Sequence, residues 1–376
     1  MSDGRRRVDI LFGLAYPDSR VRRAARALDA AGHDVRVLAW DRSGALPRRS
    51  ADGGVHVEHA RVPSRSGRGW TQLLYLAQVM RRHLRSLRAD PPDVLHAVDL
   101  PMLVAALAVR PLIGRPLIVY DAFEIYALME AHKYPGWLLR LIRLAERRLP
   151  RRADLVITPG QARQDYFAAR GVKSVVVGNW MDAPASVPDR AMARDELSVA
   201  AQFTIAYVGG LEPSRDLAAL VRHARQFPDD LVLIAGRGEQ ETMIAAAADE
   251  LANLRFLGWV ADPGVLYAAA DAIYYALEPD HPYSAHPAPN NLYAAIAHGV
   301  PIVHRGQGEL GAVAREAEIG PSFSHDPSLD AALDTLRDPA VQERVRASLR
   351  ALQQHYSARR AAEALLAAYS SLAPRS

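Results

Sequence analysis

The sequence contains no cysteine, and this absence removes whole classes of chemistry. Disulfide frameworks, thiolate nucleophiles, cysteine zinc sites and iron–sulfur clusters all need that side chain. The 13 histidines include no His-x-x-x-His pair that would hold a metal from one face of a helix. We therefore expect neither a metal site nor a resident cofactor, in a protein that suits a reducing compartment.

Long apolar runs are also missing. The longest candidate, residues 100–109, contains a proline, is bounded by charged residues and falls well short of a membrane span. The first residues lead into a strand pattern without the apolar region of a signal sequence. We therefore expect a cytoplasmic protein.

Lysine is scarce, because only Lys133 and Lys173 stand among the 46 basic residues, and the net charge is a modest +4. The arginines are not gathered into one stripe with interleaved aromatic residues, which is the pattern typical of nucleic-acid binding. We therefore expect no nucleic-acid partner.

What is present is a core: 49% of the 376 residues are hydrophobic and 23% are charged. This length and composition suggest two domains. In each half, short apolar runs alternate with helical patterns, which predicts an α/β fold with a doubly wound parallel sheet. We predict a first domain over residues 1–180, a linker over 181–202, a second domain over 203–355 and a last segment over 356–376. The predicted strands are Val8–Gly13, Asp34–Trp40, Val55–Arg61, Val94–Ala97, Leu117–Tyr120, Leu155–Thr158, Ser174–Val177, Phe203–Val208, Leu231–Ala235, Leu254–Leu257, Ala272–Tyr275 and Pro301–His304.

Turns that follow strands are the candidate ligand sites, because open α/β sheets bind ligands at the carboxyl ends of their strands. Gly209 and Gly210 follow a predicted strand and precede a helix, so backbone amides could approach a phosphate there. Arg215 could add a bidentate contact. Arg237 lies between two glycines after the next strand. The alternatives are an ordinary turn and a surface arginine.

Three polar residues mark further candidate sites. Asn290 opens a predicted helix and could bind a ligand or cap the helix. Asp99 and Glu124 follow strands in the first half. For either carboxylate, the alternative is a helix cap or a salt bridge.

Two stretches, Gln72–Leu87 and Trp137–Arg152, are basic and amphipathic. Such a helix can lie on an anionic membrane, but it more often packs its apolar side on the sheet and leaves its arginines in water. We expect the second arrangement. The apolar residues that define those sides are Leu73, Leu76 and Met80 in the first stretch and Leu138, Leu139 and Ile142 in the second.

Several motifs then follow one another in an order that points to a family. They are Asp18-Ser19-Arg20-Val21, Trp40-Asp41-Arg42, His96-Ala97-Val98-Asp99-Leu100-Pro101, Val119-Tyr120-Asp121-Ala122, Arg152-Ala153-Asp154-Leu155-Val156-Ile157-Thr158, Gly209-Gly210, Ala270-Asp271, Pro289-Asn290-Asn291-Leu292-Tyr293 and Gly299-Val300-Pro301. Over nearly the whole chain this series resembles the family 4 glycosyltransferases of the GT-B fold. The resemblance implies two Rossmann-like domains that face each other across a cleft. Residues 1–180 would bind the acceptor, residues 203–355 would bind a nucleotide sugar, and residues 356–376 would form a helix that returns to the first domain.

The resemblance also implies a set of site residues. Transfer would proceed with retention and without a metal, from a UDP- or GDP-sugar to a small-molecule acceptor, in specialised biosynthesis; a homodimer is left open. The donor site would comprise Gly209, Gly210, Arg215, Arg237, Trp259, His286, Asn290, Asn291 and Leu292. The acceptor site would comprise Tyr16, Arg20, Val98, Asp99 and Phe123. Asp99, Glu124 and Arg215 would be the catalytic residues.

The sequence departs from the family at five positions. The usual Pro-Asn-Lys-Leu-Phe-Glu segment has Asn291 for its lysine and Ala294 for its glutamate, and His286 stands where many members have a first glutamate. Losing a bidentate carboxylate costs roughly 1.5–3 kcal/mol of donor binding. Val98 and Phe123 replace two expected histidines. These departures leave four interpretations: an active enzyme with a modified site, a pseudo-glycosyl transferase, an inactive binding or partner-activating module, and a peripheral membrane enzyme with a lipid acceptor.

Overall fold

The computed structural model describes residues 5–64, 71–129, 134–184, 189–200 and 202–372. The chain divides into two compact units, one formed by residues 1–178 with 361–376 and the other by residues 179–360. The prediction of two parallel-sheet α/β folds is confirmed. Parts of the predicted linker (185–188 and 201) and of the last segment (373–376) lie outside the described residues, as do Lys133 and the first four residues of the chain.

The first unit is built on an eight-stranded sheet in the order β3-β4-β2-β1-β5-β6-β7-β8. Its strands are β1 (Arg7–Phe12), β2 (Asp34–Asp41), β3 (Arg49–Asp52), β4 (Val55–Arg61), β5 (Val94–Val98), β6 (Leu117–Asp121), β7 (Leu155–Thr158) and β8 (Val175–Val176). Its helices are α1 (Ser19–Ala30), α2 (Thr71–Ala89), α3 (Asp99–Val109), α4 (Tyr126–Met129), α5 (Gly136–Arg148) and α6 (Gln161–Ala168). The strand order reverses between β1 and β5, which makes their carboxyl ends a topological switch point.

Helices cover both faces of this sheet, as its continuous apolar strands predict. On β1, Ile10 faces a core that includes α1, whereas Leu11 faces a core that includes α3. Asp18 caps α1, since its carboxylate accepts from the Arg20 amide at 2.9 Å. The last helix of the chain, α15 (Ala358–Ser370), adds Leu365 to the core beside α1.

The second unit has a five-stranded parallel sheet in the order β11-β10-β9-β12-β13. Its strands are β9 (Thr204–Val208), β10 (Leu231–Ala235), β11 (Leu254–Gly258), β12 (Ala272–Tyr275) and β13 (Ile302–His304). Its helices are α7 (Arg190–Glu196), α8 (Leu217–Gln226), α9 (Glu241–Glu250), α10 (Gly264–Ala269), α11 (Asn290–His298), α12 (Gly308–Glu316), α13 (Asp326–Thr335) and α14 (Pro339–Leu352), followed by the start of α15. The strand order reverses between β9 and β12, which is the second switch point.

Several elements were not predicted. β3 pairs with β4 in antiparallel fashion at the sheet edge, and its residues Arg49–Asp52 have no apolar signal. α7 lies inside the predicted linker, and α12, α13 and α14 occupy a region that the sequence pattern left unassigned. α14 does carry a readable start, because Asp338 accepts from the Ala340 amide at 2.8 Å and Pro339 is the first helical residue.

The structure agrees with the expectation that the two basic amphipathic helices pack an apolar side on the first unit, and it adds one feature. In α2, Met80 is buried; the side chain of Leu73 is outside the described residues. In α5, Leu138 is buried as predicted, whereas Trp137 and Leu141 are exposed. The apolar surface of α5 is therefore divided between two faces. Among the described residues no helix is long and apolar enough to cross a membrane.

Candidate substrate sites at the carboxyl ends of the strands

The predicted donor residues Gly209 and Gly210 lie in the turn that leaves β9, at the switch point of the second unit. The Gly209 amide donates to the Ala235 carbonyl oxygen at 3.0 Å, and the Leu211 amide donates to the Arg237 carbonyl oxygen at 2.9 Å. Among the described residues the Gly210 amide has no hydrogen-bond acceptor. The turn thus leaves one of its three amides available to an anion.

Tyr207, which lies in β9, fixes the orientation of this turn. Its hydroxyl donates to the Gly210 carbonyl oxygen at 2.6 Å. Burial raises the pKa of Tyr207 above its usual range, so the hydroxyl keeps its proton and remains a donor.

The neighbouring turn after β10 needs its glycines because the two turns approach closely. A Cβ atom at Gly236 would lie 1.8 Å from the Gly209 carbonyl oxygen, and one at Gly238 would lie 2.6 Å from the Leu211 carbonyl oxygen. A side chain at either position would displace the diglycine turn. The glycines on both sides of Arg237 therefore serve packing between the turns.

Arg215 stands at the carboxyl end of β12, where its Nη1 donates to the Tyr275 hydroxyl. Its guanidinium lies 5.0 Å from the centre of the Tyr275 ring. The backbone around Arg215 is anchored, since the Asp216 amide donates to the Ala276 carbonyl oxygen at 3.1 Å. α8 begins just after Arg215, and Asp216 caps it by accepting from the Ala219 amide at 3.2 Å.

The start of α11 lies beside the same turn. Asn291 is buried, and its Nδ2 donates to the Val208 carbonyl oxygen at 2.9 Å, which ties α11 to the end of β9. Asn290 is exposed and is the first helical residue; the cap is Pro289, so Asn290 is not the cap. Leu292 is fully buried.

The remaining predicted donor residues are less closely connected. Arg237 is exposed and lies 6.0 Å from the ring of Trp259, which is 62% exposed beyond β11. His286 is half-buried in the segment before α11, and its amide donates to the Tyr283 carbonyl oxygen at 3.0 Å. Ala294 is buried within α11.

In the first unit, the predicted acceptor residue Arg20 is buried and has internal partners. Its Nη2 lies 2.8 Å from Oδ1 of Asp121, and its Nη1 donates to the Val177 carbonyl oxygen at 2.8 Å. Burial raises the pKa of Asp121, but Arg20 and then His96 outweigh burial and hold that pKa below its ordinary value.

A buried histidine extends this network. His96 Nε2 lies 3.4 Å from Oδ2 of Asp121, and His96 Nδ1 accepts from the Tyr369 hydroxyl at 2.7 Å. Burial raises the pKa of Tyr369 well above its usual range, which keeps the phenol as the donor. One chain of polar contacts therefore connects Arg20, Asp121, His96 and Tyr369.

The predicted catalytic residues Asp99 and Glu124 meet at the ends of β5 and β6. The Glu124 amide donates to Oδ1 of Asp99 at 3.0 Å, and Oε2 of Glu124 pairs with the buried Arg163 at 2.8 Å. Burial, and next the charge of Glu124, raises the pKa of Asp99 well above its ordinary value. Asp99 also has φ of +63°, a left-handed conformation that non-glycine residues adopt most often at functional sites.

Tyr16, Val98 and Phe123 share one hydrophobic cluster, and Arg20 lies 4.8 Å from the centre of the Phe123 ring. The Tyr16 hydroxyl donates to Asp52 at 2.5 Å. The structure therefore brings the predicted acceptor residues together around the first switch point.

Sequence reasoning did not assign Asp121, His96, Arg163 or Tyr369 to the site. Asp121 and His96 stood inside the quoted motifs, and a carboxylate at the end of a buried strand needs a cation. That need was the available signal. The partners themselves are distant in the chain, since Tyr369 follows His96 by 273 residues. Among the described residues no group of three or more His, Asp or Glu side chains could hold a metal ion.

Two family models match the chain in the order of its units. Residues 17–180 match a glycosyl transferase 4-like domain, and residues 202–333 match a domain of the glycosyl transferases group 1. The resemblance inferred from the motifs is thereby confirmed. The chain belongs to these glycosyltransferase families and is a glycosyltransferase of the GT-B fold.

Solved structures agree on the fold. A sucrose-phosphate synthase from Thermosynechococcus elongatus superimposes with a TM-score of 0.82 at 16% identity, covering 98% of this chain and 99% of that one. Anabaena HepE in complex with UDP-glucose gives a TM-score of 0.72 at 19% identity, covering 98% and 100%. In sequence, the chain is 29% identical over 372 residues to a glycogen synthase of Mycobacterium tuberculosis, covering 89% of this chain and 86% of that one.

Proposed function

We propose that the protein is a retaining, metal-independent glycosyltransferase that moves a sugar from a nucleoside diphosphate to a small-molecule acceptor. The observation that carries the proposal is the set of positive groups around the carboxyl ends of β9 and β12. These groups are the Gly210 amide, the Arg215 guanidinium and the start of α11. Together they suit a diphosphate leaving group, whose charge grows as the bond to the sugar breaks.

In the proposed reaction, the bond between the anomeric carbon and the diphosphate oxygen breaks while the acceptor oxygen bonds to the same face of that carbon. The acceptor proton passes to the departing phosphate oxygen. Arg215 and the Gly210 amide stabilise the negative charge on the diphosphate. No side-chain base is needed in this scheme, which is compatible with Val98 and Phe123 at the positions of the family's histidines.

The switch point of the first unit is proposed to hold the acceptor and the transferred sugar. Asp99 is the candidate for a hydroxyl contact in its neutral form, because its raised pKa favours the protonated carboxyl. Glu124, which pairs with Arg163, would accept a hydrogen bond from a hydroxyl. The apolar faces of Val98 and Phe123 suit a deoxygenated sugar or an acceptor that needs no basic residue.

We propose UDP as the first donor nucleotide to test, with GDP second. Anabaena HepE, whose fold this chain shares, was crystallised with UDP and with UDP-glucose. Trp259 and Arg237 lie at the ends of β11 and β10, where the base and the phosphates of a nucleotide would both find partners.

A binding module without transfer activity is the second candidate. Two observations favour it: Asn291 uses its side-chain amide to hold β9, and Ala294 offers no carboxylate to a ribose. In that case the protein would bind a nucleotide sugar or a partner enzyme without turning over.

Calorimetric titration of the full chain with UDP, GDP, dTDP, CDP and ADP, without added metal, separates the two candidates. A single clear binder, followed by release of that nucleotide from its sugar donor in the presence of candidate acceptors, supports the transferase. Binding without release supports the module. If none of the five nucleotides binds to folded protein, the donor site proposed for the second unit is wrong.

A further inference from the structure

Helix α5 exposes an apolar stripe that the transfer reaction does not use. Its inner face packs on the core through Leu138 and the partly buried Ile142. Glu146 also points inward, where it accepts from the Ala127 amide and from the Tyr166 hydroxyl at 3.0 Å. The helix is thus held on the first unit by one side only.

The outer face carries three large apolar side chains. Trp137, Leu141 and Leu144 are 60%, 53% and 42% exposed. Their spacing of four and three residues places them in one stripe along the helix. Isolated exposed apolar residues are ordinary, but a tryptophan and two leucines in line on one helix indicate a contact surface.

Arginines flank this stripe without acidic neighbours on the helix. Arg140, Arg143, Arg147 and Arg148 are exposed, and none of them forms an ion pair with a carboxylate of any described residue. Glu146, the only acidic residue of α5, is buried. The exposed charged residues of α5 are therefore all cationic.

A cavity of about 740 Å³ beside α5 strengthens the charge argument. Arg143 and Arg147 line it from α5, and Arg151 and Arg170 line it from the following segment and helix. Arg170 is held in place, since its Nη1 donates to the Tyr166 carbonyl oxygen at 2.8 Å. Several guanidinium groups around one cavity favour a phosphate-bearing ligand.

We propose that the outer face of α5 is a docking surface for an anionic phospholipid bilayer. Trp137, Leu141 and Leu144 enter the boundary between headgroups and acyl chains, where tryptophan is favoured. The flanking arginines bind lipid phosphates, and the cavity lined by Arg143 and Arg147 receives one headgroup. This inference goes beyond the proposed transfer reaction and does not depend on it.

Vesicle flotation with the full-length protein tests the proposal. We expect the protein to float with vesicles of phosphatidylcholine and phosphatidylglycerol, and not with vesicles of phosphatidylcholine alone. High salt should weaken the binding, because the arginine contribution is screened. Trp137→Ser should lower the apparent affinity about tenfold, as expected when an indole is lost from an apolar environment. Arg140→Glu with Arg147→Glu should lower it by at least about fivefold for each arginine.

Matched controls come from the second unit, where Met192 and Arg225 are also exposed. Met192→Ser and Arg225→Glu should float like the wild type, and thermal unfolding should show that every variant is folded. Failure of the folded wild type to float overturns the proposal, as does equal flotation of the α5 variants and the controls. A dimer that dissociates in Trp137→Ser, without lipid binding, would assign the face to a second copy of the chain instead. Nucleotide titration of the same variants should match the wild type, which keeps this test separate from that of the donor site.

Discussion

In the first unit, the arginines beside the ends of β5 and β6 are buried and pair with carboxylates, whereas in the second unit the arginines beside the ends of β12 and β10 lie near aromatic rings. Arg20 binds Asp121, and Arg163 binds Glu124. Arg215 instead lies on Tyr275, and Arg237 lies on Trp259. Arg215 and Arg237 thus differ from Arg20 and Arg163 in having aromatic contacts, although the second unit also contains a buried pair of Arg305 with Asp216.

The difference indicates which kind of ligand the carboxyl end of each sheet would bind. In a buried ion pair the two charges compensate each other inside the protein, and the pair fixes the positions of neighbouring groups. A guanidinium beside an aromatic ring is attracted to the ring, which does not neutralise its charge. This contrast supports our proposal that the carboxyl end of the first sheet binds hydroxyl-bearing molecules and that of the second sheet binds phosphate. The four predictions that follow test this contrast, beginning with the largest effect.

Breaking the buried pair of the first unit should have the largest effect. Arg20→Met leaves Asp121 charged and buried without its main partner. We expect the free energy of unfolding to fall by about 3–5 kcal/mol. Urea unfolding at neutral pH measures this loss.

Arg22→Met is the matched control, because Arg22 lies on the same helix and pairs with Asp52 while largely exposed. It should cost much less than Arg20→Met, because an exposed ion pair contributes little to stability. Equal losses in the two variants would show that the Arg20–Asp121 pair is no more important than a surface pair, and the contrast between the carboxyl ends of the two sheets would fail.

Removing the arginine of the second unit should affect turnover and spare stability. Arg215→Ala should lower kcat/KM by about 10²–10³-fold, because it deletes one donor to a charged leaving group. Steady-state kinetics with the nucleotide sugar identified by titration measures the effect.

Tyr275→Phe is the control for this prediction, because it removes the hydroxyl that holds Arg215 and keeps both the ring and the charge. We expect a smaller loss than in Arg215→Ala. Wild-type turnover by Arg215→Ala would disprove the phosphate role.

The sequence predicted the strands and turns at the carboxyl end of the second sheet better than the contacts at that of the first. Leu231–Ala235 and Ala272–Tyr275 were predicted to the residue, because short apolar runs between turn residues define buried parallel strands. Gly209 and Gly210 follow β9 directly in the chain, and Arg215 lies in the same loop before α8. The phosphate site that we propose, made of backbone and one arginine, therefore has a signal in the local sequence.

The ion pairs at the carboxyl end of the first sheet could not be predicted in the same way. Arg20 and Asp121 are 101 residues apart, and Arg163 follows Glu124 by 39 residues. Which arginine meets which carboxylate depends on tertiary packing and leaves no local pattern. β3 was missed for a related reason: Arg49–Asp52 is extended because it pairs with β4, not because its own residues favour a strand.

Asp99 and Asp121 should respond to pH with opposite signs, although they end neighbouring strands. The raised pKa of Asp99 means that, above the ordinary value of 3.8, the folded protein keeps a proton that the unfolded chain has released. The free energy of unfolding therefore falls as pH rises through that window. Asp99→Asn should remove this fall, so the variant gains stability relative to the wild type between acid and neutral pH. Asparagine also tolerates the left-handed backbone at this position.

Asp121→Asn is the opposite case. The lowered pKa of Asp121 means that its stabilisation is fully present above 3.8 and is lost as pH falls through the folded-state pKa. The variant should be less stable than the wild type at neutral pH, and the deficit should shrink in acid. Urea unfolding at a series of pH values measures both variants. Parallel pH profiles for the two would contradict the distinction between a neutral and an ionised carboxyl.

The smallest effect is expected at Arg237, which is exposed after the carboxyl end of β10. Arg237→Ala removes a charge that lies 6.0 Å from the Trp259 ring and is largely in water. An exposed cation–π contact or surface charge contributes about 0.5–1 kcal/mol, so nucleotide affinity should fall only about two- to fivefold. Calorimetric titration beside Arg215→Ala measures the difference, and Trp259→Ala should give a loss of similar size if the two side chains act together. A loss in Arg237→Ala as large as that in Arg215→Ala would move the phosphate contact from the end of β12 to the end of β10, and the anchored backbone around Arg215 would then need another explanation.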